Sequence, residues 1–236
     1  MNIVEFKNVT FIDENKETVF KDLSFIIKEK EFVVLTGSGN SGKTLILKII
    51  SGLVKINSGE VTVLGQNITN LSEKKLFKVR KEIGLLFQNN ALFNSMTNLE
   101  NVIFPLDNKN YSDNKKLGSE LLKNMELDVD NLFPDEISGG MQKRVSLARA
   151  IIHNPKLALL DDPTAGLDPI TSIHIYNLIK NKLKDKTVIF TTQNLDFILK
   201  YSDRVLMLKE GKLIYNSSVL NIKNSSKEVK EFIGKF

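Results

Sequence analysis

The stretch Phe32–Thr44 limits what this chain can fold into more than any other. Phe32-Val-Val-Leu-Thr36 is a compact apolar run, as a strand buried on both faces requires. It passes straight into Gly37-Ser38-Gly39-Asn40-Ser41-Gly42-Lys43-Thr44, which fits G-x-x-x-x-G-K-[ST], and then into a helical pattern over Thr44–Ser51. The glycines let the backbone curl until several N–H groups point inward at phosphate oxygens, and the helix adds the positive end of its dipole. Strand, loop and helix in that order require a sheet with helices on its faces. Lys43 would neutralise the β- and γ-phosphates of a nucleotide, and the Thr44 hydroxyl would ligate Mg²⁺. Mg·ATP is therefore the expected ligand of the loop Gly37–Thr44.

A second stretch supplies the acids that such a loop needs. Leu157-Ala-Leu-Leu160 reads as a buried strand and ends in Asp161 and Asp162. Asp161, at the strand's C-terminal edge, would hold the magnesium shell through water, and Asp162 could polarise the attacking water as general base. A third stretch, Ile137-Ser138-Gly139-Gly140-Met141-Gln142, precedes a helix reaching His153. Ser138 can cap that helix, and Gly139 and Gly140 leave its first N–H groups free for an anion. The chain thus carries two anion sites suited to one γ-phosphate. If both serve one ATP, a second copy supplies one of them, which predicts a two-fold dimer sandwiching two nucleotides.

Around these motifs the pattern alternates. Ile3–Val9, Ser24–Ile27, Glu60–Leu64, Ile83–Phe87, Leu157–Leu160, Thr187–Thr191 and Val205–Leu208 read as strands. Glu73–Glu82, Asp113–Met125, Gly140–His153 and Ile170–Leu183 read as helices, and a short amphipathic helix is expected within Lys223–Phe236. This predicts a parallel sheet covered by helices, with a helical insertion from about residue 89 to 154. Of the 236 residues 42% are hydrophobic and 26% charged, enough for a sizeable core and against disorder. With no cysteine, disulfides and cysteine-ligated metals are excluded. No apolar run approaches the roughly 18–20 residues that cross a bilayer, and MNIVEFKNVT alternates as a strand does, so any membrane role needs a partner. The net charge of +5 comes from scattered lysines rather than blocks, and no nucleic-acid partner is expected. His153 and His174 lack companions at metal spacing. Arg144 is expected in solvent and Arg149 in a structural salt bridge.

Along nearly its whole length the sequence resembles the nucleotide-binding subunits of ABC transporters. The phosphate loop, Gln88, the ISGGM signature, the LALLDD strand and Ala165-Gly-Leu-Asp168 occur in that family's order. The resemblance implies an α/β fold, with a RecA-like P-loop core on a mostly parallel sheet, an antiparallel β subdomain and an inserted α-helical subdomain. One domain would fill 1–236: core and β subdomain at about 1–88 and 155–222, helical subdomain at 89–154, tail at 223–236. It also implies an ATP-hydrolysing, head-to-tail dimer that drives transmembrane permease subunits from the cytoplasmic face of a bacterial inner membrane. Gln88 would join the magnesium shell and sense the γ-phosphate, and Asp168 would reach across the dimer. Val79–Gln88, Ala91–Leu106, the Gly-Gly-Met of the signature and Asp168-Pro-Ile-Thr171 look like the ATPases of Mla-type phospholipid-trafficking systems, which work with MCE-domain lipid-binding proteins. Lipoprotein-release and cell-division relatives share parts of these loops.

The chain departs from the family in three places. Asp162 stands where a glutamate is usual, which withdraws the carboxylate by about one C–C bond, and a displacement of about 1 Å can cost about a hundredfold. Gln193 stands where a histidine usually touches the γ-phosphate. It can hydrogen-bond phosphate but carries no charge. The ring that stacks on adenine falls near Phe11 or, by strict spacing, at Asp13, which leaves Phe11 as stacker or as core. Three readings stay open: slow hydrolysis with Asp162 as base, an ATP-driven dimerisation switch with little turnover, or an asymmetric pair completed by another subunit. Phe93, Leu99 and Phe104 are candidate contacts for a membrane subunit, with a core role open for Leu99 and Phe104. The tail would fold over the partner copy or fray.

Overall fold

The computed structural model of the protein describes residues 1–233. The chain opens on a hairpin of β1 (Asn2–Ile12) and β2 (Thr18–Lys28), then runs through β3 (Phe32–Gly37), α1 (Lys43–Ile50), β4 (Ser58–Val63), β5 (Gln66–Asn67), α2 (Glu73–Arg80) and β6 (Ile83–Leu86). Three helices follow: α3 (Asn98–Ile103), α4 (Tyr111–Asn124) and α5 (Gly139–Ile151). The last part holds β7 (Leu157–Leu160), α6 (Pro169–Lys182), β8 (Thr187–Thr191), α7 (Leu195–Tyr201), β9 (Arg204–Lys209), β10 (Lys212–Ser218) and α8 (Lys227–Ile233).

Two sheets result. The antiparallel one has the order β2-β1-β4-β5, and the larger one the order β10-β9-β3-β8-β7-β6, parallel throughout except at β10–β9. Period-2 alternation divides the large sheet's side chains between two cores. Val34, Ala158, Leu160, Phe190 and Met207 face one core, which includes side chains of α3 to α7. Val33, Leu35, Leu157, Leu159, Ile189 and Leu208 face the other, which includes α1 and the antiparallel sheet. Coverage on both sides is why these strands read as continuous apolar runs. Each fully buried aliphatic side chain contributes about 1.5–3 kcal/mol. Because β3, β8 and β7 are parallel neighbours, the loop after Gly37, Thr191 and Asp161 all emerge at one edge of the sheet.

Strands β5 and β10 and helices α3 and α7 lie where no element was expected. Helix α3 has only six residues, and it buries Asn98 and Asn101 beside Val102 and Ile103. The Asn101 amide donates to the carbonyls of Phe93, Met96 and Thr97 and accepts from the Phe93 N–H, so a polar side chain fills a core position. In the tail, Val229 is fully buried in the chain's own core and Glu228 pairs with Lys209 at 2.7 Å, so the helix packs on its own chain rather than fraying. Residues 234–236 of that tail lie outside the described residues.

Candidate active site

The phosphate loop is shaped by its neighbours as well as by its glycines. Gly42 holds the N-cap of α1 with a φ of 93°, and a Cβ there would lie 2.3 Å from the ring of Phe20. The buried Phe20, from β2, thus forms the floor under the loop, and only glycine fits above it. The Lys43 ammonium folds back into the loop, donating to the carbonyls of Gly37 at 3.0 Å and Ser38 at 2.7 Å and to the Ser41 hydroxyl at 3.3 Å. Burial pulls it below the ordinary lysine range, against the attraction of Asp161 and Asp162. Asn40, Ser41, Gly42, Lys43 and Thr44 line an open cleft of 400 Å³ together with Val19. Phe11 pairs with Phe20 across the β1–β2 register and packs on the core edge of that sheet.

Asp161 is 5% exposed and meets the loop directly. The Thr44 hydroxyl donates to its two carboxylate oxygens at 2.9 and 3.1 Å, and the Thr191 hydroxyl donates at 2.8 Å. The same Thr191 oxygen accepts the Asp162 N–H at 2.7 Å, so the end of β8 fixes both acids at the end of β7. Asp162 itself lies on left-handed backbone with a φ of 43°. Burial pushes its carboxyl above the ordinary range, Lys143 pulls it down, Asp161 pushes it up again and Lys43 opposes. The oxygen donors of Thr44 and Asp161 suit a hard cation such as Mg²⁺, which takes one or two protein oxygens and completes its shell from phosphate and water. Among the described residues no cluster of three or more His, Asp or Glu competes for a metal.

Ser138 caps α5 by accepting the Met141 N–H at 3.3 Å, and Ser138 and Gly139 are exposed. Gly140 lies against Leu167 in the loop after β7 and Thr171 in the first turn of α6, so the signature and Asp168 share one surface. Asp168 uses its Oδ1 to cap α6, accepting from the Ile170 and Thr171 N–H groups at 3.0 Å each; the Thr171 hydroxyl first, and these backbone bonds after it, hold its carboxyl below the usual range. Ile170 beside it is 81% exposed. Gln193 is exposed in the loop between β8 and α7, and Gln88 is exposed just after β6.

Several contacts here escaped the sequence reading. Lys143, on α5, is only 3% exposed, and its ammonium donates to the Gln88 carbonyl. Among the described residues Arg149 has no salt-bridge partner: it donates to the carbonyls of Ala91 and Asn90 at 2.7 Å each. The reason lies in the backbone, since Asn90 and Ala91 have φ of 59° and 51° and present carbonyls where a carboxylate was expected. Arg144 is not simply solvated. It donates to the carbonyls of Met125 at 3.0 Å and Glu126 at 3.2 Å, closing the C-terminus of α4. His174 lies 3.3 Å from Glu126, and His153 contacts the Ile83 carbonyl at 3.2 Å. One helical signal pointed to Lys143, because it shares a stripe of α5 with the buried Leu147 and Ala150.

Beside Gln88 an open apolar groove of 710 Å³ runs between α2, β6 and the segment after α3, lined by Phe77, Leu85, Phe87, Phe93 and Phe104 among others. Phe77 and Phe104 are 58% and 55% exposed, whereas Leu99 packs on the core against Gly118. Among the described residues no helix is long and apolar enough to cross a membrane.

The comparisons agree with this arrangement. The model of the ABC transporter family matches residues 20–165. The methionine import ATP-binding protein MetN 1 of Staphylococcus aureus (strain N315) is 33% identical over 228 residues, covering 93% of this chain and 67% of the relative. The phosphonates import ATP-binding protein PhnC of Lactobacillus acidophilus is 32% identical over 231 residues, covering 92% and 90%. Among solved structures, the ATP-binding cassette MJ0796, described as a dimer in a post-hydrolysis state with ADP and Pi, superimposes with a TM-score of 0.84 at 33% identity, over 92% of this chain and 99% of that one. With its phosphate loop, paired aspartates and capped signature helix on this fold, the chain belongs to the ABC transporter ATP-binding family and is an ABC ATPase.

Proposed function

We propose that two copies of this chain close head to tail around two ATP molecules and that the cycle of closing and hydrolysis drives transmembrane permease subunits. The contact between Thr44 and Asp161, 117 residues apart in sequence, carries the reading, because it joins the phosphate loop to the acidic strand end while the signature of the same chain stays exposed. The loop from Gly37 to Thr44 would hold the phosphates, with Lys43 exchanging its carbonyl partners for phosphate oxygens. Ser138, Gly139 and Gly140 would meet the γ-phosphate of the partner's nucleotide, and Asp168 would contact the partner. Thr44, Asp161 and Gln88 would hold Mg²⁺, which when bound neutralises developing phosphate charge. Asp162 would accept the proton of the attacking water, and its raised affinity for protons suits a base. Gln193 would hydrogen-bond the γ-phosphate, and Phe11 is the candidate for the adenine face. The groove beside Gln88 fits a cytoplasmic apolar segment of the permease, which would place the chain peripherally on the cytoplasmic face of the membrane.

The finer reading, phospholipid trafficking with an MCE-domain partner, rests on Val79–Leu106, Met141 and Asp168–Thr171. The relatives above are named for methionine and phosphonate import, so cargo is decided by what co-purifies. The test is phosphate release by the membrane complex isolated with the tagged chain, against Lys43→Ala. Release well above that background is expected. Release no higher than the variant, with ATP still bound, overturns the role of Asp162 and leaves a nucleotide switch. Phospholipid bound to the isolated complex supports the finer reading, and a complex that binds only a small solute refutes it.

A further inference from the structure

A lysine ammonium inside a protein is costly: even after relaxation the penalty for one ion is several kcal/mol unless bonds and opposite charges compensate. Lys143 is buried to 3% exposure in the middle of α5, among Val145, Ser146, Leu147 and Ala150. What it reaches is specific. Its ammonium donates to the backbone carbonyl of Gln88, and burial pulls it below the ordinary lysine range against the attraction of Asp162 and Asp161. The neighbouring residues of the same helix bind the same loop. Ser146 donates to the Asn90 carbonyl at 3.1 Å, Arg149 to the Asn90 and Ala91 carbonyls at 2.7 Å each, and Gln142 accepts from the Asn90 amide at 3.3 Å. One helix, whose first turn carries Ser138 and Gly139 in the open, thereby grips the loop from Gln88 to Ala91 along its length.

We propose that Lys143 is a positioning residue which locks Gln88 to the signature helix, so that the Gln88 side chain can hold the magnesium-bound γ-phosphate of its own copy only when the same helix is placed on the partner's nucleotide. The inference rests on the composite-site reading above. Lys143 touches no nucleotide in this scheme. It acts through Gln88, whose carbonyl it holds. A neutral side chain of similar length would keep the packing and lose the tie to the carbonyl. Arginine would keep the charge and the donor.

The test uses the intact membrane complex carrying Lys143→Met or Lys143→Arg, with ATP turnover measured against ATP and Mg²⁺. In Lys143→Met, kcat should fall about tenfold with KM for ATP within about twofold, and half-maximal activation should need about fivefold more Mg²⁺, as expected when a positioned group drifts by a fraction of an ångström. Lys143→Arg should recover most of the loss. An unchanged kcat and Mg²⁺ requirement in Lys143→Met overturns the proposal. So does a joint loss of kcat, KM and Tm that arginine does not rescue, which marks a packing residue. Should the wild-type complex release no phosphate above Lys43→Ala, the hydrolysis reading fails on its own, and ATP-driven dimerisation of the chain decides instead. A raised Mg²⁺ requirement for dimerisation in Lys143→Met then supports the positioning role, and an unshifted one refutes it.

Discussion

Asp162 combines two properties that pull against each other. Its φ of 43° lies in the left-handed region, which aspartate tolerates better than longer side chains because it can bond its local backbone. Its carboxylate is also the shortest that could serve as base. Replacing Asp162 with glutamate therefore trades backbone comfort for reach. Turnover should rise about tenfold, since closing a gap of about 1 Å recovers part of a positioning loss. Tm should fall slightly, because the glutamate occupies the left-handed site less easily. Steady-state phosphate release and a thermal melt on one preparation read both effects. A rate that stays the same would place the limiting step elsewhere than in the length of this side chain.

At the scale of elements, the contact that aligns β6 and the Gln88 loop with the signature helix depends on a missing side chain. A Cβ on Gly84 of β6 would lie 2.1 Å from the Ala150 carbonyl of α5 and 2.9 Å from Pro155. Gly84→Ala must push strand and helix apart, and overpacking of this kind costs about 1–3 kcal/mol. We expect a lower Tm together with a loss of turnover greater than that of a surface variant, because β6 leads to Gln88 and α5 carries the signature. A variant with wild-type Tm and turnover would show that the interface yields freely. This close approach was not legible in the sequence, and neither was the grip of α5 on the Gln88 loop. Strands β7 and β8 were legible to the residue, since an apolar run buried on both faces ends where polar residues begin. Helix α3 was hidden by Asn98 and Asn101, polar residues buried in the core, where Asn98 donates to the Val129 carbonyl and Asn101 to three others. For Arg149 and Lys143 the partners are carbonyls turned by tertiary structure, and no residue pattern records which way a carbonyl points.

For the whole molecule the decisive question is whether the signature serves its own copy or the other. Ser138 and Gly139 are exposed at one end of α5, while the inner residues of that helix are occupied with the chain's own Gln88 loop. The exposed Ile170 lies on the surface shared with Asp168 and Gly140, where an apolar side chain would gain from a partner. Two defects then behave differently apart and together. Lys43→Ala removes the phosphate-loop cation, and Ser138→Arg fills the signature. The second change also removes a helix cap, worth only about 1 kcal/mol, so the variant should still fold. Each variant alone should be inactive, because every site in its homodimer is defective. Mixed in equal amounts, half of the dimers are hybrids, and each hybrid holds one site built from an intact loop and an intact signature beside one with both defects. Phosphate release should therefore return to about a quarter of wild type if sites act independently in a head-to-tail pair. Were the signature to act within its own copy, no hybrid would contain an intact site, and mixing would restore nothing.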